Sequence, residues 1–144
     1  MGIKVVGLMH TGVRITPEDG DVEKALSIWQ DMLGLKIDSS RPNFPDIPGA
    51  WLNFDQNGSG QGEPPQQIHI FGANGASPRA RSKREDPTRP HVALAVESLD
   101  DAKRELESRD IDYWIYSGLV GAASEQVFFE DGFGNMIELQ EAPA

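Results

Sequence analysis

The chain has 144 residues, a formal net charge of −10 and no cysteine, and 38% of its residues are hydrophobic. The acidic charge argues against nucleic acid as a partner, and the absence of cysteine excludes disulfides, thiolate metal ligands and a cysteine nucleophile. No apolar run approaches the roughly 20 residues of a membrane span, and the first residues lack a signal-peptide core, so we expect a cytoplasmic protein without a membrane partner.

The first half predicts a strand, a helix and three more strands. Its first strand, residues 3–15, carries His10, and the helix begins after a turn with Asp21 as the predicted N-cap and ends at Gly34. Apolar residues recur at helical spacing in between: Ala25, Leu26, Trp29, Met32 and Leu33. The remaining strands are predicted over residues 35–38, 50–54 and 66–71.

A segment from Gly72 to Pro90 separates the halves and carries the basic residues Arg79, Arg81, Lys83, Arg84 and Arg89. This pattern is compatible with an anion-binding loop and equally with a solvated, mobile linker. The second half then predicts the same order of elements. A strand over residues 91–96 precedes a helix that Ser98 caps, and three strands follow at residues 111–116, 126–130 and 136–141.

The repeated order predicts an α+β protein with a single domain over residues 1–144. We expect two βαβββ modules, over about 1–72 and 90–144, joined by a linker at 73–89. Substrate choice is expected to lie in this linker and in the loops at 38–50, 56–65 and 117–125. Aromatic side chains near the second-module strand line a cavity or pack in the core: Tyr113, Trp114 and Tyr116.

The three histidines of the chain and one glutamate occupy matching strands of the two halves. His10 and His91 each begin a half, whereas His69 and Glu138 each lie in its last strand. Three imidazoles and one carboxylate, one per strand, are a donor set for a divalent metal, without a choice among Zn, Fe, Mn, Co and Ni. Any one of these histidines alone is also compatible with a hydrogen-bonded core residue.

Arg14 shares a strand face with His10, because residues two apart in a strand point the same way. Its guanidinium could bind a substrate carboxylate or phosphate. A salt bridge at the surface or in a dimer is the competing interpretation.

Several segments together resemble the vicinal-oxygen-chelate superfamily, which includes glyoxalase I, methylmalonyl-CoA epimerase, extradiol dioxygenases and the fosfomycin and bleomycin resistance proteins. The segments are His10 and residues 31–36, 90–96 and 129–139. The resemblance implies two βαβββ modules that form a curved mixed sheet around a metal cavity, commonly in a homodimer. It also implies one divalent ion with four ligands: His10, His69, His91 and Glu138.

The run from His10 to Arg14 resembles the opening of glyoxalase I, where the arginine helps to bind glutathione. At the position of His69, glyoxalase I usually has a glutamate and methylmalonyl-CoA epimerase a glutamine. The resemblance predicts a glyoxalase-like lyase or isomerase for a small oxygen-chelating metabolite, in which Glu138 or a metal-bound hydroxide moves a proton and the metal steadies an enediolate.

Two alternatives belong to other classes. A non-haem iron extradiol-type dioxygenase would use His10, His91 and Glu138 as its two-histidine, one-carboxylate face, with His69 beside the metal as an acid. A drug- or metabolite-binding resistance protein would sequester its ligand without turnover.

Overall fold

The computed structural model describes residues 2–54, 66–119 and 124–142. Its strands are β1 (Val5–Ile15), β2 (Lys36–Ile37), β3 (Gly49–Asn53), β4 (Gln67–Gly72), β5 (His91–Val96), β6 (Tyr113–Ser117), β7 (Glu125–Glu130) and β8 (Met136–Glu141). Its helices are α1 (Asp21–Leu26), which continues as a π-helical segment over Ser27–Met32, and α2 (Leu99–Ser108). The predicted loop at 56–65 and part of the loop at 117–125 lie outside the described residues.

All eight strands form one mixed sheet in the order β2-β3-β4-β1-β5-β8-β7-β6. β1 and β5 pair antiparallel at its centre, β4 runs parallel to β1, and β8 runs parallel to β5. The second half therefore repeats the topology of the first, and the two βαβββ units meet edge to edge within one chain. The predicted α+β class and mixed sheet are confirmed.

Alternation along the strands separates an apolar face from a face that carries the histidines. In the second half, Leu99, Ala102 and Leu106 of α2 pack on Val127 and Leu139 of the sheet. In the first half, a matching cluster brings the helical segments onto the same face of the sheet: Leu35, Ala50, Leu52 and Ile70, with Ala25, Leu26 and Trp29 packed against them. With the helices on one face, the opposite face is left to form a cavity.

The two helix starts differ in how well the sequence predicted them. Ser98 caps α2 as expected, since its Oγ accepts a hydrogen bond from the Asp101 backbone N–H at 3.1 Å. The prediction for Asp21 was wrong: Gly20 is the N-cap, at a left-handed φ of 87°, and Asp21 is the first helical residue. The Asp21 carboxylate instead accepts a hydrogen bond from the hydroxyl of Thr16.

The π-helical segment changes which side chains the first helix buries. The Leu33 backbone N–H bonds to the carbonyl of Ile28, five residues back, so the turn is wider than an α-helical one. The phase of the following side chains shifts, and Met32 is 67% and Leu33 53% exposed. The helical spacing of the sequence had placed both side chains on the apolar face of the helix.

None of the described helices is long and apolar enough to cross a membrane.

The arginines of the linker are paired within the chain. Arg84 contacts Glu130 and Asp112, each at 2.9 Å, and Arg89 contacts Glu130 at 3.0 Å. Arg81 donates to the carbonyl of Ile115 at 2.7 Å. These contacts attach the linker to the second module, so its positive charge is largely balanced in place.

A buried carboxylate, Asp86, organises the rest of the linker. It accepts hydrogen bonds from the backbone N–H and hydroxyl of Ser77, both at 2.7 Å, and from those of Thr88 at 2.9 and 2.8 Å. Arg14 of β1 adds an ion pair at 3.2 Å. Burial alone would raise the pKa of the Asp86 carboxyl, but the hydrogen bonds from Thr88 and Ser77 outweigh it and hold the pKa below its usual value.

Candidate metal centre

Three buried donor atoms from three strands converge on the cavity face of the sheet. Nε2 of His10 lies 3.1 Å from Nε2 of His91, and these nitrogens lie 3.4 and 3.1 Å from Oε1 of Glu138. Each of the three residues is 5% exposed. Side chains far apart in the sequence thus meet at one point.

Strand register explains why they meet. His10 on β1 and Glu138 on β8 both lie opposite Ala93 of β5, and His91 of β5 lies opposite Gly12 of β1. Each central strand thus has a histidine followed two positions later by a small residue on the same face. A Cβ atom at Gly12 would be 2.7 Å from Cε1 of His91, so the absent side chain leaves room for the imidazole.

Neighbouring groups orient two of the donors. Nδ1 of His91 lies 2.5 Å from the carbonyl oxygen of Arg89, and because a carbonyl only accepts, Nδ1 carries a hydrogen and Nε2 is the nitrogen turned to His10 and Glu138. Oε2 of Glu138 accepts a hydrogen bond from Nε2 of Gln140 at 2.5 Å, which leaves Oε1 facing the histidines. Such contacts are typical of groups that hold metal ligands in place.

The carboxylate of Glu138 is ionised in this setting. Burial would raise the pKa of Glu138, but the imidazoles of His10 and His91 outweigh burial and hold it well below its usual value. A buried negative charge is thereby directed at the two nitrogens.

These distances fit a divalent cation. Bonds of about 2.1 Å place adjacent donor atoms roughly 3.0 Å apart at a right angle and roughly 3.4 Å apart at a tetrahedral angle. The observed separations of 3.1 to 3.4 Å fall in that range. Two neutral imidazoles and one carboxylate would leave such an ion with one net positive charge. Each of the three residues offers one ligand atom, and these atoms lie close enough together to hold one metal ion.

His69, the predicted fourth ligand, lies beside this group. Its ring stacks between Trp51, at a centroid distance of 4.5 Å, and His10, at 3.7 Å. Its Nε2 lies 2.7 Å from Oε1 of Gln67. Among the described residues, the group of converging donors contains His10, His91 and Glu138 without His69.

The hydrogen bonds of Gln67 fix the tautomer of His69. Nε2 of Gln67 donates to Asp38 and to Asn53, both at 2.7 Å, so its Oε1 must accept from Nε2–H of His69. Burial first, and then the neighbouring His10, lower the pKa of His69 to about 2. His69 is therefore neutral, and Nδ1 carries the lone pair.

A cavity of about 180 Å³ adjoins the donor group. Much of its lining is apolar: Met9, Phe44, Ile47, Trp51, Phe71 and Phe128. The linker contributes Arg79, whose guanidinium lies 5.3 Å from the centroid of the Phe44 ring and 3.5 Å from Asp46. Gln126 of β7 adds a carboxamide to the wall. An apolar cavity with a few convergent polar groups is typical of a small-molecule site.

Arg14 is placed differently from the predicted substrate contact. Its guanidinium donates to the carbonyl of Gly75 and pairs with Asp86 at 3.2 Å, and Arg14 is not among the described residues that line the cavity. Arg14 therefore contacts the linker at Gly75 and Asp86.

Trp114 and Tyr116 pack with Phe128 in an aromatic cluster, which agrees with the core-packing interpretation of the sequence.

Comparison with known proteins places the chain in a family. A family model described as the Glyoxalase/Bleomycin resistance protein/Dioxygenase superfamily matches residues 13–139. The chain belongs to this superfamily. The match begins three residues after His10, so membership does not depend on that histidine. No curated protein matches the chain significantly.

Solved structures of the superfamily fold resemble the protein along nearly its whole length. A methylmalonyl-CoA epimerase from Mycobacterium tuberculosis has a TM-score of 0.69 at 23% identity and covers 100% of this chain and 93% of its own. The Streptomyces coelicolor methylmalonyl-CoA epimerase in complex with 2-nitronate-propionyl-CoA has a TM-score of 0.68 at 14% identity, with coverages of 98% and 100%. A hypothetical protein from Bacillus halodurans C-125 has a TM-score of 0.65 at 18% identity, with coverages of 95% and 94%. At these identities the likeness shows the fold.

Sequence reasoning missed several residues of the site. Gly12 and Ala93 had a signal in the pattern of histidine, any residue, small residue, which occurs on both central strands. Gln126 also had one, because it shares a strand face with Phe128 in an otherwise apolar run. Gln67 had none, since its role depends on Asp38 and Asn53, and Arg79 was marked only as one of several basic residues of the linker.

Proposed function

We propose that this superfamily member is a metal-dependent lyase or isomerase of glyoxalase type that acts on a small oxygen-chelating metabolite. The observation that supports it most is the convergence of His10, His91 and Glu138 beside an apolar cavity that His10 and Glu138 line. These residues would hold one divalent ion, which would supply positive charge to stabilise an enediolate developing on the substrate oxygens. The identity of the metal is left among Zn, Ni, Co, Mn and Fe.

The chain itself supplies the remaining requirements of such a reaction. The apolar wall excludes water and strengthens electrostatic interactions at the substrate. Arg79 is placed to bind an anionic end of the substrate, because its cation lines the cavity and its pairing with Asp46 is partly exposed and weak. Arg14, proposed from the sequence as a substrate contact, would act through the linker that it holds.

Two side chains compete for the role of proton carrier. Glu138 was predicted for it, and its Oε2, held by Gln140, is the oxygen turned away from the histidines. A carboxylate with a lowered pKa suits a metal ligand better than a base, and burial, which lowers the pKa of His69, makes its imidazole a weak base as well. Neutral His69 offers the lone pair of Nδ1 and also lines the cavity. We propose both as candidates, with His69 favoured because it lies outside the donor group and would keep its nitrogen free of the metal.

The test is exchange of a substrate proton with solvent. Protein loaded in turn with each metal is incubated in deuterium oxide with hemithioacetals and with branched acyl-CoA esters, and incorporation alpha to the carbonyl is followed by NMR. Metal-dependent incorporation that is lost in His69→Gln with metal retained would assign the proton transfer to His69. Full exchange in His69→Gln would exclude His69, and loss of exchange in Glu138→Gln assayed at saturating metal would then assign the proton transfer to Glu138. No exchange with any metal would count against the proposal.

One observation favours a second candidate, the extradiol-type dioxygenase. Two histidines and one carboxylate converge while His69 remains beside them, which is the donor pattern of non-haem iron oxygenases. Oxygen uptake by the anaerobically iron-loaded protein in the presence of catechols would support this candidate. A protein that binds such ligands without turnover would fit the resistance proteins instead.

We also propose a homodimer, as the resemblance implies. Apolar side chains of the central strands remain exposed on the single chain: Val5, Val6, Leu8 and Val92. Surfaces of this kind commonly mark protein contacts. Light scattering coupled to gel filtration would give the mass, and a monomer across the micromolar range would contradict this proposal.

A further inference from the structure

Gln126 on β7 is a buried amide with unused hydrogen-bonding capacity. The residue is 1% exposed, and among the described residues neither its Oε1 nor its Nε2 has a hydrogen-bond partner. Buried polar groups in folded proteins are nearly always paired, since an unpaired one loses its hydration without compensation. An amide that is unpaired at both ends therefore needs an explanation.

The position of Gln126 supplies one. It alternates with Phe128 along β7, and both line the cavity beside Glu138. The neighbouring polar groups on β8 are engaged with one another, because Gln140 donates to Oε2 of Glu138 at 2.5 Å and Oε1 of Glu138 faces the histidines. Among the described residues the surrounding wall thus supplies no partner for this amide, and the cavity adjoins it.

The chemistry of a carboxamide limits what that partner can be. Nε2 donates and Oε1 accepts, so a group that satisfies both must itself accept and donate. A plain carboxylate or ketone accepts only and would leave Oε1 unpaired. A hydroxyl beside a carbonyl, or an amide, would satisfy both ends.

We infer that Gln126 is a specificity-determining residue that selects substrates carrying a hydroxy-carbonyl or amide group next to their chelating oxygens. This inference rests on the proposed function, since it places the substrate in the same cavity. It narrows the substrate class to small α-hydroxy or α-amido acids and their derivatives. A site built to hydrogen-bond such a group rejects analogues that lack it, because its own polar atoms then stay unpaired.

Trp114 provides the matched comparison. Its Nε1 is also buried without a partner among the described residues, but the ring stacks on Phe128 at 6.1 Å and lies in the aromatic cluster rather than among the described cavity-lining residues. An unpaired donor at Trp114 therefore has no expected effect on ligand choice. Trp114→Phe removes that donor and serves as the control for the loss of a buried polar atom.

The experiment measures ligand affinity and thermal stability of zinc-loaded wild-type, Gln126→Met, Gln126→Leu and Trp114→Phe proteins. The probes are two matched pairs, oxamate with oxalate and lactate with pyruvate, each titrated calorimetrically. Within each pair only the first member adds an N–H or O–H donor to the chelating oxygens. We expect Gln126→Met to lose at least tenfold in affinity for the donor-bearing member of at least one pair, and clearly less for the other member. Trp114→Phe should bind all four as the wild type does.

Stability separates recognition from a structural role. Without probe, Gln126→Met should melt no lower than the wild type, because methionine removes the unpaired amide and keeps the side-chain length. A melting temperature several degrees lower in both Gln126 variants, with probe affinities unchanged, would overturn the inference. So would zinc-loaded wild-type protein that binds none of the four probes, although the metal site would then stand. Wild-type protein that takes up no zinc or other divalent metal would overturn the proposed function and this inference with it.

Discussion

Gly12 and His91 are partners across the two central strands, and the imidazole occupies the space that a side chain at Gly12 would take. A Cβ atom there would lie 2.7 Å from Cε1 and 2.9 Å from Nδ1 of His91. Since real side chains do not approach so closely, the position of the His91 imidazole, a proposed metal ligand, depends on the absence of a methyl group on the neighbouring strand. The relationship makes Gly12 part of the site although it has no side chain.

Gly12→Ala is therefore expected to displace His91. Overpacking at a close contact typically costs about 1 to 3 kcal/mol of unfolding free energy, and a displaced imidazole would weaken metal binding by at least about tenfold. Metal affinity by competition with a chromophoric chelator, together with denaturant unfolding, measures both effects. Gly7→Ala on the same strand is the control, because a Cβ atom at Gly7 would have nothing within 4 Å. Equal metal affinity in the two variants would refute the steric role of Gly12.

The ligand variants should divide into two groups. His10→Ala, His91→Ala and Glu138→Gln each remove a converging donor and should lower metal affinity by more than about 100-fold, with loss of the metal-dependent part of thermal stability. His69→Ala should keep stoichiometric metal, because Nε2 of His69 is hydrogen-bonded to Gln67. Metal analysis after dialysis checks all four. Loss of metal in His69→Ala, to the extent seen in His91→Ala, would establish the four-ligand set expected from the sequence.

Two arginines should separate substrate binding from linker attachment. Arg79→Ala removes the cavity cation and should weaken an anionic chelator such as malonate about tenfold, with metal content and stability unchanged. Arg14→Ala leaves buried Asp86 without its ion pair and should lower the unfolding free energy by about 1 to 3 kcal/mol. Calorimetric titration and denaturant unfolding measure the two effects. The opposite result would be weaker malonate binding in Arg14→Ala at wild-type stability, together with unchanged malonate binding in Arg79→Ala. It would show that Arg14 contacts the substrate.

Asp86 should make stability depend on pH in the acid range. Its pKa is lowered in the folded protein, because hydrogen bonds from Thr88 and Ser77 outweigh burial. Because the folded-state pKa is the lower one, the ionised Asp86 contributes its full stabilising free energy at pH values above 3.8, the ordinary pKa of the carboxyl group. This stabilising free energy is lost as the pH falls through the folded-state pKa. Asp86→Asn should be less stable at pH 7 and lose this part of the acid dependence. If the unfolding free energies of the wild type and Asp86→Asn changed by the same amount between pH 5 and about pH 2, Asp86 would not be the source of this acid dependence.

Much of the fold follows from local sequence patterns. Alternation of apolar residues predicted the strands, and the matching order of the halves predicted that β1 corresponds to β5 and β4 to β8 in two modules of the same topology. Since side chains alternate with a period of two, the faces of His10, His69, His91 and Glu138 were also predictable. The cap of α2 was predicted because Ser98 bonds to a backbone group only three residues away.

The remaining features depend on contacts between distant residues. Arg14 and Asp86 are 72 positions apart, so the choice between an ion pair and a substrate contact was open in the sequence. His69 is turned toward Gln67 by the acceptors Asp38 and Asn53, which no spacing rule reveals. The π-helical segment likewise lacks a glycine or proline signal, although it determines the exposure of Met32 and Leu33.

The most direct test of the metal centre is metal analysis of the wild-type protein, purified without an affinity tag and then reconstituted with each candidate ion. We expect close to one divalent ion per chain, bound tightly enough to survive dialysis and to raise the melting temperature. No stoichiometric binding of any of these ions, before or after reconstitution, would contradict a metal centre at His10, His91 and Glu138 and leave them as structural residues.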